Sequence, residues 1–230
     1  MRLALLRHAA TPANRARTYL GCTDEPLDQR GLDEAHAARA AIRSRLERLG
    51  GPPDRIHAST LSRTHETARA LFPSARIIRH ADLNEMNFGV FEGKTFTQLS
   101  DDPRYRAWVE GGCTQPCPCG EGRSDLTART VSCLRRIVAE EAARGADLVV
   151  IVAHAGTAMA ALAALADPPC DYFAARPPHC AGWLGVTDRR LTRIGELAPL
   201  GWEGRDASAS RPTPARAQRR AAEPAKEAHA

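Results

Sequence analysis

Two short apolar runs, each delivering a histidine at its end, constrain this chain more than any other feature. The first, Leu3-Ala4-Leu5-Leu6-Arg7-His8, lies almost at the N-terminus. The second is Asp147-Leu148-Val149-Val150-Ile151-Val152-Ala153-His154-Ala155-Gly156. Each is short, rich in Leu or Val and bounded by polar residues, as expected of a strand buried on both faces. In open α/β sheets the ligand crevice lies outside the carboxyl ends of the strands, where strand order switches. Two histidines placed there, one beside an arginine, point to a site for a phosphorylated ligand.

The rest of the chain alternates in the same sense. Residues 9 to 30 read as a loop rich in Gly, Pro and Asp. Gly31 to Leu49 carries Leu32, Ala35, Ala38, Ile42 and Leu46 at helical spacing. Gly50-Gly51-Pro52-Pro53 ends that helix. Arg55 to Ala58 reads as a strand, Leu61 to Leu71 as a helix and Arg76 to Arg79 as a third strand. Residues 81 to 123 look irregular, with helical pieces near Phe96 to Leu99 and Tyr105 to Val109. A long insertion of this kind tends to be functional. A long helix is expected from Ser124, as its cap, to Arg144. A further helix follows from Thr157 to Ala166. Trp183 to Thr187 and Leu191 to Leu197 form a closing hairpin through Asp188-Arg189-Arg190. The alternation predicts an α/β fold, a three-layer α/β/α sandwich around a mostly parallel sheet, over residues 1–203. From about Gly204 the sequence turns to Arg, Ala, Pro, Ser and Glu, and residues 204–230 read as a disordered tail.

Composition narrows the function. A net charge of +5 suits an anionic small substrate. No basic stripe is interleaved with aromatics, so nucleic acid is not an expected partner. No apolar segment is long enough to cross a bilayer. The first apolar run is too short for a signal peptide and is followed by charge. The expected location is the cytoplasm, as a monomer or homodimer. Seven cysteines, an odd number, argue against a disulfide framework there. Cys113, Cys117 and Cys119 cluster, but their spacing matches no paired ligand pattern and no nearby histidine completes a set. They read as a surface loop with free thiols, with a metalloprotein as the competing possibility.

Five polar residues stand out by position: Arg7 and His8 after the first strand, Arg63 early in the helix after the second, Glu85 in the irregular region, and His154. Their surroundings are Leu-Leu-Arg-His, then Gly-Cys-Thr-Asp-Glu-Pro-Leu at 21 to 27. Ser-x-Leu-x-Arg-x-x-x-Thr-Ala follows at 59 to 68. Glu-x-x-Phe-Gly-x-Phe-Glu-Gly lies at 85 to 93 and Ala-His-Ala-Gly at 153 to 156. In this order they resemble the histidine phosphatase, or phosphoglycerate mutase-like, superfamily from Arg2 to about Leu197. The compact region after Phe-Glu-Gly resembles the α-ribazole phosphatase and broad-specificity branch more than the mutases.

The resemblance implies a phosphomonoester hydrolase needing no metal or organic cofactor. It implies His8 as nucleophile, a competent role for a neutral imidazole. Arg7, Arg63 and His154 would hold the transferring phosphoryl group, with Asn14 and Thr23 also at the substrate. Glu85 would protonate the leaving alkoxide and then activate water. Two positions depart from the pattern. Ala9 stands where the family has Gly, and Ala10 replaces an acidic residue. They raise a second class of function, a phosphate-binding protein with weak turnover. His57 and His80 lack a matching motif and read as structural or solvated, and His36, His65, His179 and His229 carry no usable signal. Glu92 with Gly93 reads as shaping a loop. Trp108, Trp183 and Trp202 read as packing residues.

Overall fold

A computed structural model describes residues 1–202, so the expected tail lies outside the described residues. The elements run β1 (Arg2–Arg7), α1 (Pro12–Arg15), α2 (Gln29–Glu47), β2 (Arg55–Ser59), α3 (Ser62–Leu71) and β3 (Arg76–His80). Then come α4 (Phe96–Leu99), α5 (Pro103–Glu110), α6 (Arg123–Ala143), β4 (Leu148–Ala153), α7 (Ala155–Leu165), β5 (Gly182–Thr187) and β6 (Ile194–Leu200). The sheet order is β3-β2-β4-β1-β5-β6. The first four strands are mutually parallel, and β5 and β6 add antiparallel at one edge.

The two apolar runs are the adjacent central strands β4 and β1, and their side chains alternate between two cores. Leu3, Leu5, Val149 and Ile151 pack with Leu134, Ile137 and Leu162 of α6 and α7. Ala4, Leu6, Val150 and Val152 pack with Ile42, Leu46, Ala68 and Leu71 of α2 and α3. Both faces of a strand are therefore dry, which is why its sequence is continuously apolar. Each buried Leu, Val or Ile is worth about 1.5–3 kcal/mol. The sheet is thus a stiff platform, and both histidines leave it at its carboxyl edge.

Several element boundaries differ from the sequence expectation, some of them where a polar side chain caps the backbone. Thr11 forms a capping box with Asn14, so a short helix sits inside the expected loop of residues 9 to 30. Asp28 accepts from the Gly31 N–H and starts α2 earlier than expected. Ser124 is not the cap of α6: Gly122 is, and Asp125 accepts from its N–H at 3.0 Å. α7 begins at Ala155, with His154 itself at the N-cap. The last strand starts only at Ile194, because Asp188 accepts from the Arg190 and Thr192 N–H groups and prolongs the turn.

The irregular stretch has its own core. Phe91, Leu99, Tyr105, Trp108, Cys117 and Leu126 are buried together, and Trp183 and Trp202 are buried in the main core. Cys117 is therefore not a surface thiol. Cys113 is half-buried and Cys119 exposed. Among the described residues no group of three or more His, Cys, Asp or Glu is placed to hold a metal. No described helix is long and apolar enough to cross a membrane.

Candidate active site

The pairing of β1 with β4 sets Arg7 opposite Ala153, so His8 and His154 emerge side by side. Their rings lie 5.1 Å apart, inclined at 64°, and both are buried. His8 Nδ1 is 2.6 Å from the Ala9 carbonyl oxygen. A carbonyl only accepts, so Nδ1 carries the proton and Nε2 keeps its lone pair. Burial first, then His154, Arg63, Arg7 and His179, hold His8 well below the usual imidazole range. His8 is thus neutral at physiological pH, with the lone pair on Nε2. His154 Nε2 lies 2.8 Å from Ser59 Oγ, which fixes its ring, and its Nδ1 is buried without a partner. Burial and then Arg63 keep it neutral as well.

The two guanidiniums differ. Arg7 lines the cavity, is buried, and donates from Nη1 to the Pro177 carbonyl at 3.1 Å. Arg63 is fully buried, and its Nη1 and Nη2 donate to the Thr23 and Gly21 carbonyls at 2.8 and 2.7 Å. Its fork holds the 21–23 loop and does not line the cavity. Its charge still acts on the site through a low-dielectric interior.

Glu85 comes from the irregular stretch. Its Oε1 accepts from the Met86 N–H and its Oε2 from the Gly156 N–H, both at 2.9 Å. The second bond sets the carboxyl on the first turn of α7, at the positive end of a helix. Arg129 of α6 ties the segment down. It donates to the Asp82, Asn84 and Glu85 carbonyls and grips both carboxylate oxygens of Glu121. Sequence reasoning missed Arg129, because a helical arginine has no local signature until its fork is seen to match a distant loop.

These groups open into a cavity of about 520 Å³. Arg7, His8, Glu85 and Asn14 line it, whereas His154 and Arg63 stand behind its wall. Asn14 spends its Oδ1 on the Thr11 N–H. Thr23 is not a lining residue: it is exposed and donates to Glu92 Oε2 at 2.9 Å. Glu92 also accepts from the Gly21, Cys22 and Phe88 N–H groups, so it does shape this loop. The remaining wall is aromatic and sulfur-bearing, with Tyr19, Phe88, Trp108, Tyr172, Met86 and Met159. Arg17, Arg176 and His179 also line the cavity. The His179 ring is 5.7 Å from His8, although its sequence context gave no sign of it.

The side chains at the two departing positions are both buried. Ala9 is fully buried among Leu27, Ala35, Ala70 and Cys180, and its N–H donates to Thr67 Oγ1 at 2.9 Å. Its methyl group belongs to the core. The Ala10 carbonyl accepts from Arg15, which also pairs with Asp28. His57 is buried and bonded to His80, away from the cavity, in keeping with a structural role.

A neutral imidazole with a free Nε2, cationic neighbours and a carboxyl on a helix N-terminus are what an enzyme needs to move phosphoryl groups on histidine. The chain belongs to the histidine phosphatase superfamily (branch 1), whose family model matches residues 3–197, and it is a phosphatase. It is 31% identical over 173 residues to the adenosylcobalamin/alpha-ribazole phosphatase of Salmonella typhimurium, covering 74% of this chain and 81% of that protein. It is 30% identical over 163 residues to the 2,3-bisphosphoglycerate-dependent phosphoglycerate mutase of Rhizobium etli, covering 67% and 75%. The alpha-ribazole phosphatase of Shigella flexneri shares the fold, with a TM-score of 0.68, 24% identity, and coverage of 83% of this chain and 92% of that one.

Proposed function

We propose that the protein hydrolyses phosphomonoesters through a phosphohistidine on His8, with α-ribazole 5′-phosphate as its substrate. The observation that carries the chemistry is the bond from His8 Nδ1 to the Ala9 carbonyl, which leaves Nε2 as the free nucleophile. Nε2 attacks phosphorus, the phosphorus–oxygen bond breaks, and protonated Glu85 gives its proton to the departing alkoxide. Water then attacks the phosphohistidine, Glu85 takes a proton from it, and the phosphorus–nitrogen bond breaks to release phosphate. Arg7 in the cavity wall and Arg63 behind it supply fixed positive charge, and neutral His154 a hydrogen-bonding nitrogen, where negative charge gathers on the phosphoryl oxygens.

The substrate assignment draws support from the aromatic wall, which suits a leaving group with a planar ring system, and from the name of the Salmonella relative. It would place the protein in the nucleotide-loop steps of cobalamin synthesis. None of the seven cysteines is joined in a disulfide, in keeping with the reading of a reducing, cytoplasmic compartment. The 30% likeness to the Rhizobium mutase favours a second reading, phosphoglycerate isomerisation. The purified protein, presented with α-ribazole 5′-phosphate, phosphoglycerates, sugar phosphates and nucleotides, distinguishes them. The highest kcat/KM is expected on α-ribazole 5′-phosphate, with release of free phosphate. Net isomerisation of phosphoglycerate faster than any hydrolysis would overturn the assignment.

A further inference from the structure

We propose that Arg176, from the loop before β5, is a third guanidinium of the phosphate site and contacts an oxygen of the transferring group. The proposal rests on the reading of His8 as nucleophile.

A phosphoryl group in flight presents three equatorial oxygens, and stabilising them takes donors that are free to reach them. The two guanidiniums already described are largely committed. Arg63 has both terminal nitrogens on loop carbonyls, and Arg7 has Nη1 on the Pro177 carbonyl. Arg176 is not committed: its side chain makes no hydrogen bond or ion pair with any described residue. Elsewhere surface arginines do find carboxylates, as in Arg104 with Asp102, Arg136 with Asp82 and Arg193 with Asp167.

Its position is built. Arg176 caps the short turn Phe173–Ala175, with its N–H on the Phe173 carbonyl. The next residue, Pro177, is the one that holds Arg7, so the backbone of this loop is bonded to the phosphate pocket. Arg176 lines the same cavity as His8 and Glu85, and its charge is the largest influence on Arg7 after burial. Among the cavity-lining residues Glu85 is the sole carboxylate, so the unpaired cation has no fixed protein partner there. Arg176 is also exposed, which lets a long side chain fold over an arriving phosphate and close the site from the solvent side.

The test is binding of inorganic phosphate and of vanadate to the wild type, Arg176→Gln and Arg176→Lys, read beside kcat/KM on phenyl phosphate and on meta-carboxyphenyl phosphate. A charge-assisted contact to the phosphoryl group predicts that Arg176→Gln weakens both anions by about 10- to 100-fold. The same variant lowers kcat/KM on both esters by a similar factor. Lysine restores part of the loss, and added guanidinium ion restores activity to the glutamine variant. Unchanged anion binding in Arg176→Gln overturns the proposal. A loss confined to the carboxylate-bearing ester also overturns it, by assigning Arg176 to the leaving group. If the wild type binds neither anion and forms no phosphohistidine, the underlying reading of His8 fails, and the proposal with it.

Discussion

Gly156 and Glu85 are fitted to each other. The Gly156 N–H donates to Glu85 Oε2 at 2.9 Å, and a Cβ at position 156 would stand 2.0 Å from Glu85 Oε1. The glycine is thus the space in which the carboxyl sits. Alanine favours a helix by about 1 kcal/mol over glycine, so Gly156→Ala would ordinarily stabilise α7. Here it displaces the proposed proton donor. The expected result is a kcat at least about tenfold lower, since a positioned acid is worth about 10²–10⁴. Thermal stability should change by only a few degrees. Kinetics and a melting curve on the one variant check both halves.

Glu85→Gln separates proton donation from packing. The amide keeps the shape but cannot give up a proton. Loss of activity is expected to be about 100-fold or more on an alkyl phosphate, whose alkoxide is a poor leaving group. It should be much smaller on nitrophenyl phosphate, whose phenolate leaves unaided. Equal losses on the two substrates would remove Glu85 from the acid role.

Arg129 is a support for Glu85. Arg129→Lys keeps the charge but not the fork that serves the Asp82, Asn84 and Glu85 carbonyls and Glu121. Each half-buried acceptor left without a donor costs about 1–3 kcal/mol. The expected outcome is a loss of about 2–4 kcal/mol of stability by chemical denaturation, together with a reduced kcat.

Much of this was legible from the chain because the informative residues sit at strand ends. Arg7, His8 and His154 follow continuous apolar runs, so their place at the carboxyl edge follows from strand burial alone. Glu85 was legible only as part of an ordered set of motifs, since nothing in its own segment marks a regular element. What was hidden depends on pairings distant in sequence. Arg129 is 44 residues from the Glu85 carbonyl it holds. Arg176 and His179 lie in a loop whose path is set by β5 joining the sheet antiparallel to β1. Thr23 and Arg63 were expected at the ligand, yet each satisfies the loop: Thr23 bonds Glu92, and Arg63 bonds backbone carbonyls. Sequence tells which polar residues are near the site, but not which of them the backbone has already claimed.

His57 makes a prediction about pH and stability. Burial first, then His80 and Arg55, push its imidazole down to about 3. Its Nε2 is 3.3 Å from Glu141 Oε1, but Arg55 and Arg144 also pair with that carboxylate, so it does not keep His57 protonated. In the unfolded chain the same group titrates near 6.5. Between those values the unfolded state binds the extra proton, so the contribution of His57 is complete above 6.5 and is lost as pH falls toward 3. Its part of the slope is at most about 1.4 kcal/mol per pH unit. Denaturation curves across this range should fall more steeply for the wild type than for His57→Gln. Parallel curves would contradict the assignment.

The central claim is that His8 carries the phosphoryl group, and acid-free rapid quenching during turnover of a phosphomonoester tests it most directly. Intact-protein and peptide mass spectrometry should find one phosphoryl group on His8 in the wild type, and none in His8→Ala, which should also lose hydrolysis. Undiminished hydrolysis by His8→Ala, or a phosphoryl group trapped on another residue, would contradict the account.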